Sequence, residues 1–135
     1  MRILVLCTGN SCRSQMAEAF LQKMLGDESQ VYSAGLKPQQ VNKYAIRVMH
    51  DIGFDISQNK SNNISEYLEM KFDYVLTVCS HADSLCPAFP GDAKKIHIPF
   101  DDPADAIGTE DEILREFARV RDEIKSQMSE WVKTF

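Results

Sequence analysis

Apolar residues recur along this chain in two rhythms, and the rhythms alternate. Arg2 leads into an unbroken run, Ile3-Leu4-Val5-Leu6, which predicts a buried strand over residues 2–6. Over residues 14–25 the spacing changes: Met16, Ala19, Phe20 and Met24 share one helix face, and Gly26 marks a stop. Residues 31–34 read as a second strand ending at Gly35. Residues 42–52 read as a helix with Ala45, Val48, Met49 and Ile52 inward, stopped by Gly53, with His50 at the surface. Residues 55–63 are polar and loop-like, and a short helix is expected over 65–70. Residues 72–78 are almost continuously apolar, as a central parallel strand should be. A loop over 79–92 and a strand over 95–99 follow. The last helix spans about 110–133 and opens with a capping box, Thr109 to Glu112. It carries Ile113, Phe117, Val120, Ile124, Met128 and Trp131 on one side. Strands alternating with helices imply an α/β fold: a four-stranded parallel sheet flanked by helices on both faces. Ligands bind such sheets at the carboxyl ends of the strands.

The length of 135 residues fits a single domain over 1–135, and a chain of this size buries roughly 70% of its unfolded surface without staples. Met1-Arg2 runs straight into a strand with no cleavage pattern, and no apolar run approaches the roughly 20 residues of a membrane span. The expectation is a cytoplasmic protein that engages neither membrane nor nucleic acid. In that compartment four cysteines are catalytic or metal-binding before they are structural bridges. A net charge of −5 opposes anions at long range, so an anionic substrate would have to be held by local donors.

Those donors are concentrated in Cys7-Thr8-Gly9-Asn10-Ser11-Cys12-Arg13-Ser14, between the first strand and the first helix. Five residues separate Cys7 from Arg13. A loop of that length can curl so that the backbone N–H groups of Thr8, Gly9, Asn10, Ser11, Cys12 and Arg13 converge on an anion. The following helix adds its unpaired N–H groups and the positive end of its dipole. Gly9 permits backbone angles closed to other residues, and Asn10 tolerates the left-handed region. Arg13 closes the ring with a fork that matches a tetrahedral oxyanion. The same field favours the reactive thiolate of Cys7, and Ser14 can donate to that sulfur. A buried cysteine at a strand end is ordinarily a small apolar residue. Here it coincides with the Gly-Asn turn, the arginine and the hydroxyl.

Cys-x5-Arg-Ser near the start of a short chain resembles the low-molecular-weight protein tyrosine phosphatase superfamily. Cys79 ends the third strand and Cys86-Pro87 lies seven residues later, a pair that resembles the thioredoxin-coupled arsenate reductase branch. The resemblance implies a three-cysteine relay. Cys7 attacks arsenate, Cys79 attacks Cys7 and expels arsenite, and Cys86 takes over the disulfide, which thioredoxin reduces. Glutaredoxin is the second candidate reductant. Such a relay requires the 80–91 loop to move. Phosphatases with this loop often carry a second cysteine there, able to form a protective disulfide with the nucleophile; Cys12 is expected to have a backbone role in anion binding and no required redox role. It makes Asp102, directly before Pro103, the general acid, with Asp101 the weaker candidate. The residues alone read Asp101-Asp102-Pro103 as a turn. It also implies a potassium site at Asn10, Glu18, Ser33 and Asn62, where the family pattern has an aspartate at the last position. No other cofactor is expected; phosphate and sulfate would mimic arsenate. Two alternatives stay open. One is a phosphatase that hydrolyses phosphomonoesters through a Cys7 phosphocysteine, with Phe89 or Phe100 gripping the substrate. The other is not an enzyme: a redox-sensing or metalloid-binding protein using Cys79, His81 and Cys86.

Overall fold

The computed structural model describes residues 1–80 and 88–135; His81, Cys86 and Pro87 fall outside the described residues. Four strands form one parallel sheet: β1 (Arg2–Cys7), β2 (Gln30–Gly35), β3 (Tyr74–Thr77) and β4 (Lys94–His97). Their order across the sheet is β2-β1-β3-β4. Helices α1 (Arg13–Leu25), α2 (Lys43–His50) and α3 (Glu110–Val132) connect or follow them, with 3-10 helices at Ile64–Tyr67 and Pro103–Asp105.

The unbroken apolar run of β1 conceals a period of two. Ile3, Val5 and Cys7 face the larger core, where Phe20 of α1, Val48 of α2 and Phe117 of α3 meet. Leu4 and Leu6 face the opposite side, against Ile64, Phe72 and Phe89. Helical elements therefore cover both faces, but unequally: α1, α2 and α3 share one, and the Ile64–Tyr67 turn serves the other. A strand buried on both sides must be apolar throughout, which is why its pattern is continuous.

Several boundaries shift from those expected. Asn42 caps α2 instead of opening it, accepting from the amides of Tyr44 and Ala45. The helix expected over 65–70 is a 3-10 turn with its own capping box between Asn63 and Glu66. β3 is shorter than expected because Phe72 turns into the smaller core before the ladder begins. The capping box that opens α3 forms as read, with Thr109 and Glu112 reciprocally bonded. His50 is exposed, and Ile113 is only partly buried. No helix among the described residues is long and apolar enough to cross a membrane.

The chain leaves β1 for β2 on one side and later returns to β3 on the other. The carboxyl end of β1 is therefore the point where the winding reverses, the place where such sheets bind ligands. The Cys7–Arg13 loop occupies it.

Candidate active site

The loop is built by turning its carbonyls away. Thr8 O accepts from Lys37 N, Gly9 O from Gln39 N, and Ser11 O from Asn42 N. Asn10 O accepts from Ser61 Oγ at 2.7 Å, and Cys12 O from Met16 N at 2.9 Å. The peptide bonds of this loop are trans, so each outward carbonyl points the next residue's N–H the opposite way. The N–H groups from Gly9 to Arg13 thus turn to the inner side of the loop, an anion nest. No side chain caps α1, so its first turn and dipole add to that field.

Backbone strain falls on Asn10, with φ 49°, while Gly9 is outside the left-handed region. This corrects the expectation for Gly9: a Cβ there would meet Gln39 at an ordinary 3.5 Å. Gly35 is the glycine the site needs. A Cβ on it would lie 2.6 Å from Thr8 O and 2.9 Å from Cys7 O. In the sequence Gly35 reads only as a strand stop.

Cys7 is buried at the end of β1, with its sulfur 3.0 Å from Ser14 Oγ. Asn10 Nδ2 donates to that oxygen at 2.7 Å, which leaves the Ser14 proton directed to the sulfur. Asn10 is oriented in turn: its Oδ1 accepts from Asn62 N at 2.8 Å and from Gln15 Nε2 at 3.3 Å. Gln15, almost fully buried, also bonds Asn10 O and Lys60 O and accepts from Asn59 Nδ2. Sequence reading missed Gln15, because a glutamine in a first helical turn carries no signal of its own.

Arg13 is 3% exposed, donates to Phe100 O at 3.2 Å and pairs with Asp102 Oδ2 at 3.4 Å. Asp102 caps the Pro103–Asp105 turn through Ala104 N, so the turn read from the residues forms, and the same carboxyl stands beside Arg13. Asp101 points elsewhere, to Arg119 of α3. Cys12 Sγ donates to Asp102 Oδ1 at 3.6 Å. Burial, with the charges of Asp102 and Cys7 nearby, pushes the Cys12 thiol up to about 12, so it is a proton donor at neutral pH.

Leu6 pairs with Thr77, and Val78 N donates to Leu6 O at 3.0 Å. Cys79 therefore follows directly at the end of the neighbouring strand, and it shares the larger core cluster with Cys7 and Cys12. None of these three is disulfide-bonded. Cys86, and with it the Cys79–Cys86 pairing and the His81 metalloid alternative, lies outside the described residues.

Asn10, Glu18, Ser33 and Asn62 do converge behind the loop. Asn62 Nδ2 donates to Ser33 O and Lys60 O, both at 3.3 Å. Burial pushes the Glu18 carboxyl up to about 7, and Ser33 Oγ is buried without a hydrogen-bond partner among the described residues. Phe89 and Phe100 are both buried. Phe89 packs edge-on against Phe72, and the Phe100 carbonyl accepts from Arg13. A separate cavity of about 930 Å³ lies at the amino ends of β3 and β4, lined by Phe72, Phe89 and Lys94, and holds none of the loop's residues.

The model of the low-molecular-weight phosphotyrosine protein phosphatases matches residues 2–135. The chain belongs to that family. Within it, an arsenate reductase of Halalkalibacterium halodurans is 49% identical over 132 residues, 98% of this chain and 95% of that protein. Among solved structures, an arsenate reductase in the phosphate-binding state superimposes with a TM-score of 0.81 at 28% identity, covering 98% of this chain and 97% of the other. A low-molecular-weight protein tyrosine phosphatase from T. tengcongensis has a TM-score of 0.79 at 27% identity, covering 100% of this chain and 99% of the other. The phosphatase family thus includes relatives with two different names on one backbone. The fold alone does not separate them; their side chains must.

Proposed function

We propose that this chain reduces arsenate to arsenite through Cys7, Cys79 and Cys86. The observation that carries the reading is the inward-turned loop with a sulfur at its base, bonded to Ser14. The arsenate reductases among the relatives, one of them solved with phosphate bound, support arsenate and phosphate as its ligands.

The nest and Arg13 hold the tetrahedral anion over Cys7. The Cys7 thiolate attacks arsenic. Asp102 protonates the departing oxygen, which leaves as water, and a Cys7 S–As bond forms with arsenic still pentavalent. The Cys79 thiolate then attacks the Cys7 sulfur. The S–As electron pair goes to arsenic, which becomes trivalent and leaves as arsenite, while the two sulfurs are oxidised to a disulfide. Cys86 attacks Cys79, Cys7 departs as a thiolate, and a Cys79–Cys86 bond remains for an external dithiol carrier, thioredoxin, to reduce. Phosphate fits the same loop but does not accept two electrons.

Against a phosphatase as the main activity stand the buried Phe89 and Phe100 and a second thiol, Cys79, in the same core cluster as Cys7. The shared loop makes weak phosphomonoester hydrolysis a side activity. The residues do not fit a resident potassium ion. Asn62 turns an amide donor toward Ser33 O, Asn10 Oδ1 already accepts two N–H groups, and the sole carboxyl is held in part neutral. We read these four as a hydrogen-bonded support for the loop.

The test is a single turnover. Reduced protein is incubated with arsenate without a reductant, and disulfides are mapped by mass spectrometry. One arsenite per chain with a Cys79–Cys86 bond is expected. No arsenite, with every thiol still reduced, would overturn the reading and direct attention to phosphomonoesters.

A further inference from the structure

Among the described thiols, the relay leaves Cys12 unused. It occupies the N-cap position of α1 without capping the helix. Its thiol reaches instead across the fold to Asp102 Oδ1, where Ala104 N also donates at 3.0 Å. Oδ2 of the same carboxyl faces Arg13. One carboxyl is therefore gripped on both oxygens, by two consecutive residues of the loop and by its own turn.

We propose that Cys12 is a positioning residue for Asp102, a weak donor that aims the acid over the loop without fixing its charge. The inference rests on the reading of Asp102 as the acid. An anion in the nest draws the Arg13 fork toward itself, and the grip on Oδ2 loosens. Cys12 and Ala104 N then remain to hold the carboxyl. A general acid must carry its proton to the leaving oxygen and be reloaded, so its partner has to tolerate both protonation states. A thiol is a feeble donor and does so. A hydroxyl in the same place bonds the carboxylate more strongly and favours the deprotonated, inactive form. The other charged groups near Asp102 are Arg13, Asp105 on its own turn, and Asp101 held by Arg119 of α3, whose remaining bonds go to Glu116 and Glu123, while the Cys7 sulfur lies near Cys12 itself.

Single-turnover arsenite formation at saturating arsenate, followed against pH, tests this in four proteins: unchanged chain, Cys12→Ala, Cys12→Ser and Asp102→Asn. Cys12→Ala should lower the rate roughly 3- to 10-fold, the value of one modest hydrogen bond, with phosphate affinity and melting temperature retained. Cys12→Ser should recover the rate at the acid end of the profile and lose it at a lower pH than the unchanged chain. Asp102→Asn should have no alkaline limb. Profiles for both Cys12 variants that superimpose on the unchanged chain, while Asp102→Asn has lost its limb, would overturn the role of Cys12. An alkaline limb that survives in Asp102→Asn would instead remove the acid assignment beneath it. Should Cys12→Ala fail to fold, the displaced limb of Cys12→Ser decides.

Discussion

The oxyanion loop and the segment that carries Asp102 meet at one arginine but are built in opposite ways. In the loop, Asn10, Arg13, Ser14 and Gln15 are all buried, and each outward carbonyl from Thr8 to Cys12 has a partner. The acid segment lies open: Asp101 is exposed, Asp102 keeps about a quarter of its side chain in solvent, and Arg119 ties it down from the surface. A buried, saturated network holds its geometry before the ligand arrives. An exposed one adapts at little cost. The difference teaches that this fold separates holding the anion from handling its proton, and places only the first in the core.

The largest effect expected from breaking that division comes at Arg13. Arg13→Lys keeps the charge but loses the planar fork, and should lower arsenite formation roughly 100- to 1,000-fold while weakening phosphate binding, measured by calorimetry. A lysine variant with both intact would mean that charge alone fills the role. Next is Gly35→Ala. Its new methyl overlaps Thr8 O, so about 1–3 kcal/mol of stability should be lost in denaturant melts, with phosphate affinity falling alongside. Unchanged affinity at reduced stability would separate the loop from its support.

Glu18 sharpens the loop side through pH. Its folded carboxyl, at about 7, sits above the unfolded value of 4.5. The contribution to stability is therefore full below pH 4.5 and is lost as pH rises through 7. Glu18→Gln removes that loss, so its melting temperature should gain on the unchanged chain between pH 5 and pH 8. Parallel curves would mean that Glu18 is charged throughout. Arg119→Ala, on the acid side, should be the smallest change, below about 1 kcal/mol in stability, because its ion pairs are exposed.

What the sequence displays and what it conceals follow the same division by distance along the chain. Cys7, Arg13 and Ser14 are legible because the loop is local, and its spacing sets its geometry. The α3 capping box is legible for the same reason. Gly35 under Thr8, Gln15 reaching Lys60, and Cys12 reaching Asp102 across 90 positions are not, because sheet order and turn geometry create those contacts. Asn10 shows a partial case. The Gly-Asn pair announces a tight turn, but which residue takes the left-handed angle is settled by Gln15 and Asn62 around it. Phe89 and Phe100 show the reverse: their ring chemistry suggested a substrate wall, and packing assigned both to the interior.

The most direct test of the division is to measure phosphate affinity and single-turnover arsenite formation together in Asp102→Asn. Without the carboxylate that faces Arg13, phosphate should bind as tightly as before or more tightly, while the rate falls about 100- to 10,000-fold. Affinity and rate falling in the same proportion would contradict the account, because Asp102 would then be part of the anion site itself.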